Sequence, residues 1–275
     1  MASVTAADIK KLRAATGAGM TDCKKALVEA DGDYDKAVEQ LRIKGLKGVA
    51  KREGRAAGNG LVVAKLDGTD KGTLLELNCE TDFVAKSAKF QDLAAQVVEA
   101  AFGSNDVTAL QTVDVEGKPL SEVLTDGGAM MGEKIEVRRV VTFQGAYVGV
   151  YLHKTNPDLP PQLGVLVELS ADQPEIAKDV AQHIAAFAPT YISRAEVPED
   201  VVAKEREIAA ATAKEEGKPE AALTKIVEGR VNGFFKDAVL LEQAFAKDNK
   251  KTVATVLEQA GVQLTGFARF KVGQA

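Results

Sequence analysis

The chain has 275 residues, of which 45% are hydrophobic and 27% charged, a balance typical of globular proteins that bury an apolar core. Its net charge of −5 argues against direct nucleic-acid binding, and no apolar run approaches the ~18–20 residues of a membrane-spanning helix. The two cysteines form no Cys-x-x-Cys pair and the first residues lack a signal or transit pattern, so we expect reduced thiols and a cytoplasmic protein.

The first 45 residues predict three short amphipathic helices. Thr5 and Asp8 have the spacing of a capping box at the start of the first helix, and Gly17 is expected to end it. Two further helices follow, each preceded by an aspartate or threonine that can cap it. Met20 falls at the turn between the first two helices, where we expect it to be exposed and available for a contact.

Residues 44–60 contain five glycines and five Lys or Arg residues, a composition that predicts a flexible basic linker. The first 60 residues carry 12 Lys and Arg against 8 Asp and Glu, whereas the remainder carries 23 against 32. We favour a solvated tether over the alternative, which is a basic strip that contacts an acidic partner.

From residue 61 the pattern changes to alternating strands and helices. A strand that ends in leucine, a loop and an amphipathic helix occur first between Leu77 and Asp92, and again between Leu169 and Asp179. This internal repeat predicts two related α/β halves. The first copy encloses 14 residues between its marker positions and the second encloses 9, so the first half has the longer loop.

The longer loop of the first half contains Asp82 and Phe83. The second copy closes without a counterpart to this phenylalanine, which argues against a plain core role. Asp82 could cap the helix that follows, although Ser87 is equally suited to do so. We interpret the pair as an exposed contact device, in which the ring fits an apolar slot and the carboxylate disturbs polar groups or a metal's water shell.

Residues 197–235 read as two charged helices with few apolar positions, which predicts a projecting antiparallel hairpin. A final helix and strand are expected to return to the second half. The segment 127–134, GGAMMGEK, departs from a phosphate-binding loop because Glu133 stands where lysine is required, and we interpret it as a turn. His153 and His183 lie too far apart for a zinc motif, and we expect no metal or cofactor. His183 is interpreted as structural and His153 as exposed.

The segments LRAATGAGMTDCKKALVEADGDYDKAVEQLR and NCETDFVAKSAKF resemble the two signature regions of the bacterial elongation factor Ts family. HIAAFAP, KIVEGR and TGFARFKVG resemble its later segments, in the same order. The resemblance implies a multidomain α+β fold, with a ubiquitin-associated-like three-helix bundle, two related α/β core subdomains and an inserted antiparallel helical hairpin. The implied boundaries are 1–45 for the bundle, 46–60 for the basic linker, 61–143 for the first subdomain, 144–196 with 236–275 for the second, and 197–235 for the hairpin.

The resemblance also implies an activity: exchange of guanine nucleotide on elongation factor Tu, a GTPase, by displacement of Mg²⁺ and release of GDP without covalent catalysis. A loop that enters the GTPase beside its Mg²⁺ would consist of Thr81, Asp82, Phe83 and Val84. Further contacts are implied for Leu12 and Met20 in the bundle and for Met131, Gly132 and His153 in the core. The family leaves a homodimer through the hairpin open.

Two other classes of function stay open at this point. One is a binding adaptor with a ubiquitin-associated-like module and a different protein partner, which would bind without changing nucleotide release. The other is an enzyme with a hidden pocket, for which Cys79, His153 or a carboxylate is the candidate reactive group.

Overall fold

The computed structural model describes residues 4–16, 18–50 and 54–274, with only the backbone of residues 46–50. Its helices are α1 (Ala6–Thr16), α2 (Met20–Glu29), α3 (Tyr34–Ala50), α4 (Asp82–Ala85), α5 (Ala88–Ala100), α6 (Val107–Leu110), α7 (Leu120–Met131), α8 (Pro174–Phe187), α9 (Glu199–Glu215), α10 (Glu220–Ala238) and α11 (Val253–Gln259). Its strands are β1 (Asn59–Asp67), β2 (Lys71–Cys79), β3 (Asp114–Val115), β4 (Lys118–Pro119), β5 (Glu136–Gln144), β6 (Tyr147–His153), β7 (Leu163–Leu169), β8 (Ala244–Phe245), β9 (Asp248–Thr252) and β10 (Leu264–Lys271). The predicted α+β class is confirmed.

Helices α1, α2 and α3 form a small bundle around its own apolar core. The capping box is confirmed, because Thr5 N donates to the Asp8 carboxylate at 3.0 Å and Asp8 N donates to the Thr5 hydroxyl at 3.2 Å. The predicted helix stop at Gly17 lies outside the described residues. Leu12 is fully buried among the residues of this core, which include Cys23, Ala26, Leu27, Ala37 and Leu41.

Helix α3 extends to Ala50, so the predicted linker begins too early at residue 46. Gly45 lies inside this helix, where it allows the close approach of α7: a Cβ at this position would come within 2.8 Å of the Ala129 Cβ. Packing against α7 thus overrides the weak helix propensity of glycine. Arg42 strengthens the contact by pairing with Glu122 at 2.5 Å and with Asp126 at 3.2 Å.

The core contains two three-stranded antiparallel sheets, in the orders β1-β2-β5 and β10-β7-β6. Helix α5 covers the outer face of the first sheet, and α8 covers the second. The inner faces pack on each other through an apolar layer formed by Val62, Leu74, Val148, Leu166 and Phe270. Gly164 allows the close approach of the sheets, since a Cβ there would lie 2.5 Å from Val62 Cγ1.

An ion pair within the first sheet reaches the second sheet through its arginine. Glu76 of β2 is fully buried and accepts two hydrogen bonds from Arg139 of β5. Arg139 also donates to the Lys271 carbonyl of β10 at 3.1 Å, and its guanidinium lies 4.6 Å from the centre of the Phe270 ring. One arginine therefore connects the first sheet to a strand of the second.

Helices α9 and α10 form an antiparallel pair with its own small apolar cluster near the core. Further along the pair, exposed ion pairs replace apolar contacts: Arg206 with Glu228 at 3.3 Å, and Arg230 with Glu216 at 2.7 Å. Exposed ion pairs contribute little stability, so this pair of helices depends on the cluster at its base.

Candidate functional site

The connection between β2 and α5 carries a short turn, residues 81–84, that we call the Phe83 turn. Thr81 caps the one-turn helix α4, because its hydroxyl accepts a hydrogen bond from Val84 N at 3.4 Å. Ser87 caps α5 by accepting from Phe90 N at 3.3 Å. Asp82 is therefore not the cap of α5, and capping of that helix does not account for this carboxylate.

Phe83 is 72% exposed, the largest exposure of any bulky apolar side chain in the part of the chain that the structure describes. Its neighbour Ala85 is buried, and Val84 packs against the core of the first half. The Lys86 ammonium lies 4.5 Å from the centre of the Phe83 ring. The turn is thus anchored by small apolar residues while its aromatic ring faces solvent, which is the arrangement expected of a contact residue.

Asp82 lies beside Phe83 and is half-buried. No side-chain hydrogen bond or ion pair joins its carboxylate to the described residues. The carboxylate is therefore available to compete for polar or cationic groups of a partner.

The Phe83 turn is held by a residue that the sequence pattern did not identify. Glu133, which follows α7, accepts hydrogen bonds from Glu80 N and Thr81 N, each at 3.0 Å, and from the Thr81 hydroxyl. The sequence shows only that Glu133 stands where a phosphate-binding loop requires lysine, and no local pattern predicts its hydrogen bonds to the turn.

Cys79 ends β2 immediately before the turn. Its buried thiol donates to the Thr81 carbonyl at 3.2 Å, and burial together with the Glu133 charge raises the pKa of Cys79 to about 12. Such a thiol stays protonated and is a poor nucleophile. The other cysteine, Cys23, is also buried and free, so the prediction of two reduced buried thiols is confirmed.

Of the two predicted contact residues in the three-helix bundle, one is exposed and the other is buried. Met20, at the start of α2, is 48% exposed, which confirms the predicted exposure. Leu12 is fully buried in the bundle core, so its prediction as a contact residue is wrong. The amphipathic period of α1 directs Leu12 inward, and it supports the bundle from inside.

Met131 and Gly132 lie at the C-terminal end of α7. The predicted turn at 127–134 is wrong for its first half, because Gly127 to Met131 form the last part of the helix. Gly132 then ends the helix with φ 77°, a left-handed conformation that favours glycine. Gly132 is exposed, whereas Met131 is half-buried against the first core.

The two histidines have different roles. His153 is exposed at the end of β6, as predicted, and its Nδ1 lies 3.0 Å from the Tyr151 hydroxyl. His183 is buried, where Nδ1 accepts from Ala246 N at 3.2 Å and Nε2 therefore donates to Gln243 Oε1 at 2.8 Å. Burial lowers the pKa of His183, which stays neutral. The structural interpretation of His183 is confirmed.

Within the described ranges, no cluster of His, Cys, Asp and Glu has the arrangement of a metal site. No helix in those ranges is long and apolar enough to cross a bilayer. The exposed features instead lie on turns and element ends, as expected for binding to a macromolecule.

Comparison with known proteins gives a consistent picture. A family model described as Elongation factor TS matches residues 80–274. Proteins named Elongation factor Ts from Acidothermus cellulolyticus, Thermobifida fusca and Streptomyces griseus are 61%, 60% and 60% identical to this chain. These alignments cover 99–100% of this chain and 100% of each relative.

Proposed function

Because this chain belongs to the elongation factor Ts family, we propose that the Phe83 turn is the element with which it acts on the GTPase elongation factor Tu. The function of the chain is guanine-nucleotide exchange in translation elongation. In the proposal, Asp82 and Phe83 reach the Mg²⁺ site of elongation factor Tu·GDP, displace the ion and so promote GDP release. The observation that carries the proposal is a 72% exposed phenylalanine beside a carboxylate with no partner in the described structure.

The physical basis is linkage between two ligands of the GTPase. Exchange factor and nucleotide each weaken the binding of the other by the same factor. Mg²⁺ bridges protein and phosphates, so its loss removes a large part of the electrostatic attraction for GDP. A release about 10⁴-fold faster requires a barrier lower by about 5.5 kcal/mol, which one displaced ion and a deformed phosphate loop can supply. No covalent step is needed.

Met20, Met131, Gly132 and His153 form the remaining proposed contacts. All except Met131 are exposed, and each lies at the end of a helix or strand. Leu12 is left out of the contact set because it is buried.

We further propose that the bundle is of the ubiquitin-associated type, that the two sheet-and-helix halves are related, and that the protein works in the cytoplasm. The predicted domain division is kept, with the linker starting after Ala50. A homodimer through α9 and α10 is not part of the proposal, because neither the structure nor the comparisons support one.

Release of fluorescent GDP from elongation factor Tu tests this proposal. The protein should accelerate release, and Phe83→Ala should slow the accelerated reaction without affecting folding. Binding to elongation factor Tu with unchanged GDP release would contradict the proposal and favour the adaptor. The enzyme alternative gains no support, because the Cys79 thiol is buried and its pKa is raised.

A further inference from the structure

The Phe83 turn is anchored by Val84 and by the buried Ala85 that follows it, whereas its ring faces solvent and has to be oriented toward the partner. We propose that Glu133 is a positioning residue for this turn, a role that rests on the proposed function of the turn. Glu133 does not touch the partner in this proposal. It acts through the backbone of Glu80 and Thr81.

The first step of the argument is the set of hydrogen bonds that Glu133 accepts. One carboxylate oxygen accepts from both Glu80 N and Thr81 N at 3.0 Å, and the other accepts from the Thr81 hydroxyl. Hydrogen bonds to an ionised carboxylate are stronger than those between neutral groups. Three donors are thus gathered immediately before α4.

The second step is the link from Thr81 to the ring. The Thr81 hydroxyl donates to Glu133 and accepts from Val84 N, so Glu133 fixes the rotamer with which Thr81 caps α4. Phe83 lies inside that single helical turn. An isolated turn of this length is unstable by itself, and its geometry therefore depends on the cap and on the group that holds the cap.

A reciprocal bond strengthens the arrangement. The Glu80 carboxylate accepts from Lys134 N at 2.7 Å, while Glu133 accepts from Glu80 N. The chain ends of β2 and β5 are adjacent here, because Asn78 pairs with Glu136 in the sheet. Two carboxylates therefore cross-link the segment that leaves β2 to the segment that leads into β5.

The sequence GGAMMGEK places Glu133 for this role. Gly128 permits close backbone approach, since a Cβ there would lie 2.8 Å from the Glu133 carbonyl oxygen. Gly132 supplies the left-handed residue that ends α7 and reverses the chain. Lys134 pairs with Glu136 at 2.8 Å and leaves Glu133 to the turn. The segment thus holds a neighbouring turn, which explains why it departs from a phosphate-binding loop at Glu133.

Preorganisation of a contact residue raises the rate because the partner does not have to order it. We expect Glu133→Ala to lower the GDP release rate at saturating factor by about tenfold, since small misplacements of reacting groups can cost up to ~100-fold. Glu133→Gln keeps one acceptor and should lose less. Glu99→Ala is the matched control, because it removes an ion-paired carboxylate of the same half, on α5, that pairs with Lys65 and does not contact the turn.

The decisive measurement combines Glu133→Ala with Phe83→Ala. If Glu133 acts through the ring, its substitution should change release by less than about twofold in the Phe83→Ala background. Hydrogen exchange of the Glu80 and Thr81 amides should become faster in Glu133→Ala, which removes the oxygen that accepts from both, with the β-sheet amides unchanged. If Glu133→Ala fails to fold, Glu133→Gln serves in the same cycle.

Three results would overturn the inference: wild-type release by Glu133→Ala while Phe83→Ala is slow, an equal further loss in both backgrounds, or unchanged exchange of the Thr81 amide. Failure of the proposed function has a different signature, which is wild-type release by Phe83→Ala itself.

Discussion

The connections that follow β2 and β7 make an instructive pair, since each links the central strand of a three-stranded sheet to the covering helix. After β7, Ser170 bonds back to its own fold: its N donates to the Gln263 carbonyl at 3.0 Å, and its hydroxyl accepts from Gln263 N at 2.9 Å. After β2, the chain makes an additional turn that exposes Phe83. A similar scaffold thus carries one closed connection and one that presents side chains outward.

The difference shows how a contact surface can be added without disturbing a core. Ala85 and Phe90 are buried on either side of the cap at Ser87, so the interior of the first half stays continuous. Only the turn between them protrudes. Substitutions in the turn should therefore change binding, whereas substitutions in the closed connection should change only stability.

The largest expected effect comes from the two phenylalanines of the first half. Phe83→Ala should slow GDP release by about 100-fold, a loss typical of an interface hot spot, and change unfolding free energy by less than about 0.5 kcal/mol. Phe90→Ala, its buried counterpart, should cost about 3–5 kcal/mol of stability. Stopped-flow GDP release and urea unfolding separate the two, and a large stability loss in Phe83→Ala would contradict the exposed position of the ring.

Asp82→Asn should produce the next largest effect. The change keeps the shape of the side chain and removes the charge that is proposed to disturb the Mg²⁺ site. We expect release to slow by about tenfold, equivalent to ~1.4 kcal/mol. The loss should be largest where GDP release that does not depend on Mg²⁺ is slow. Release is therefore measured across a Mg²⁺ titration. An identical rate for Asp82→Asn and wild type would remove the carboxylate from the mechanism.

The pH dependence of stability should distinguish the two halves. His183, on α8, has a lowered pKa because it is buried, so the unfolded chain binds its proton more tightly than the folded chain. Its contribution is complete above the unfolded pKa of about 6.5 and is lost as pH falls below that value, with a slope of at most about 1.4 kcal/mol per pH unit. No histidine occurs in α5.

Unfolding measured between pH 5 and 8 checks this expectation (the range follows from the ordinary histidine pKa, about 6.5). His183→Gln should flatten the dependence while leaving GDP release at pH 7.5, about one unit above that pKa, within about twofold. A dependence that persists in His183→Gln would assign it to other groups.

The smallest effect is expected in the closed connection. Ser170→Ala removes one hydrogen-bond acceptor and should cost about 1 kcal/mol of stability, with no change in GDP release. Thr81→Ala is its partner in the open connection, since it removes a cap of similar value, but it should also slow release. Equal GDP release rates for Ser170→Ala and Thr81→Ala would contradict the proposed functional difference between the two connections.

The sequence predicted features that depend on local chemistry. The Thr5 and Asp8 capping box, the exposed Met20 and the protruding Phe83 follow from spacing and from the comparison of the repeated segments. The burial of Leu12 follows from the amphipathic period of α1, whereas the family resemblance implies a contact at this position. In that case the periodicity was the better guide.

Other features depend on which elements meet in space, and no local pattern reports that. Gly45 and Gly128 have weak helix propensity, yet both lie in helices. Glycine is needed at these positions because neighbouring segments pack too closely for a side chain. The hydrogen bonds of Glu133 join positions more than 50 residues apart. Only the pairing of β2 with β5 brings them together.

The buried pair of Glu76 and Arg139 has a mechanical consequence. Glu76 and Arg139 lie on paired strands of the first sheet, so if one sheet slid past the other, Arg139 would keep Glu76 but would lose the Lys271 carbonyl and the Phe270 ring. These contacts oppose sliding of the two sheets, together with the apolar layer between them. The Phe83 turn follows β2, so its ring projects from a strand that is linked to both sheets through Glu76 and Arg139.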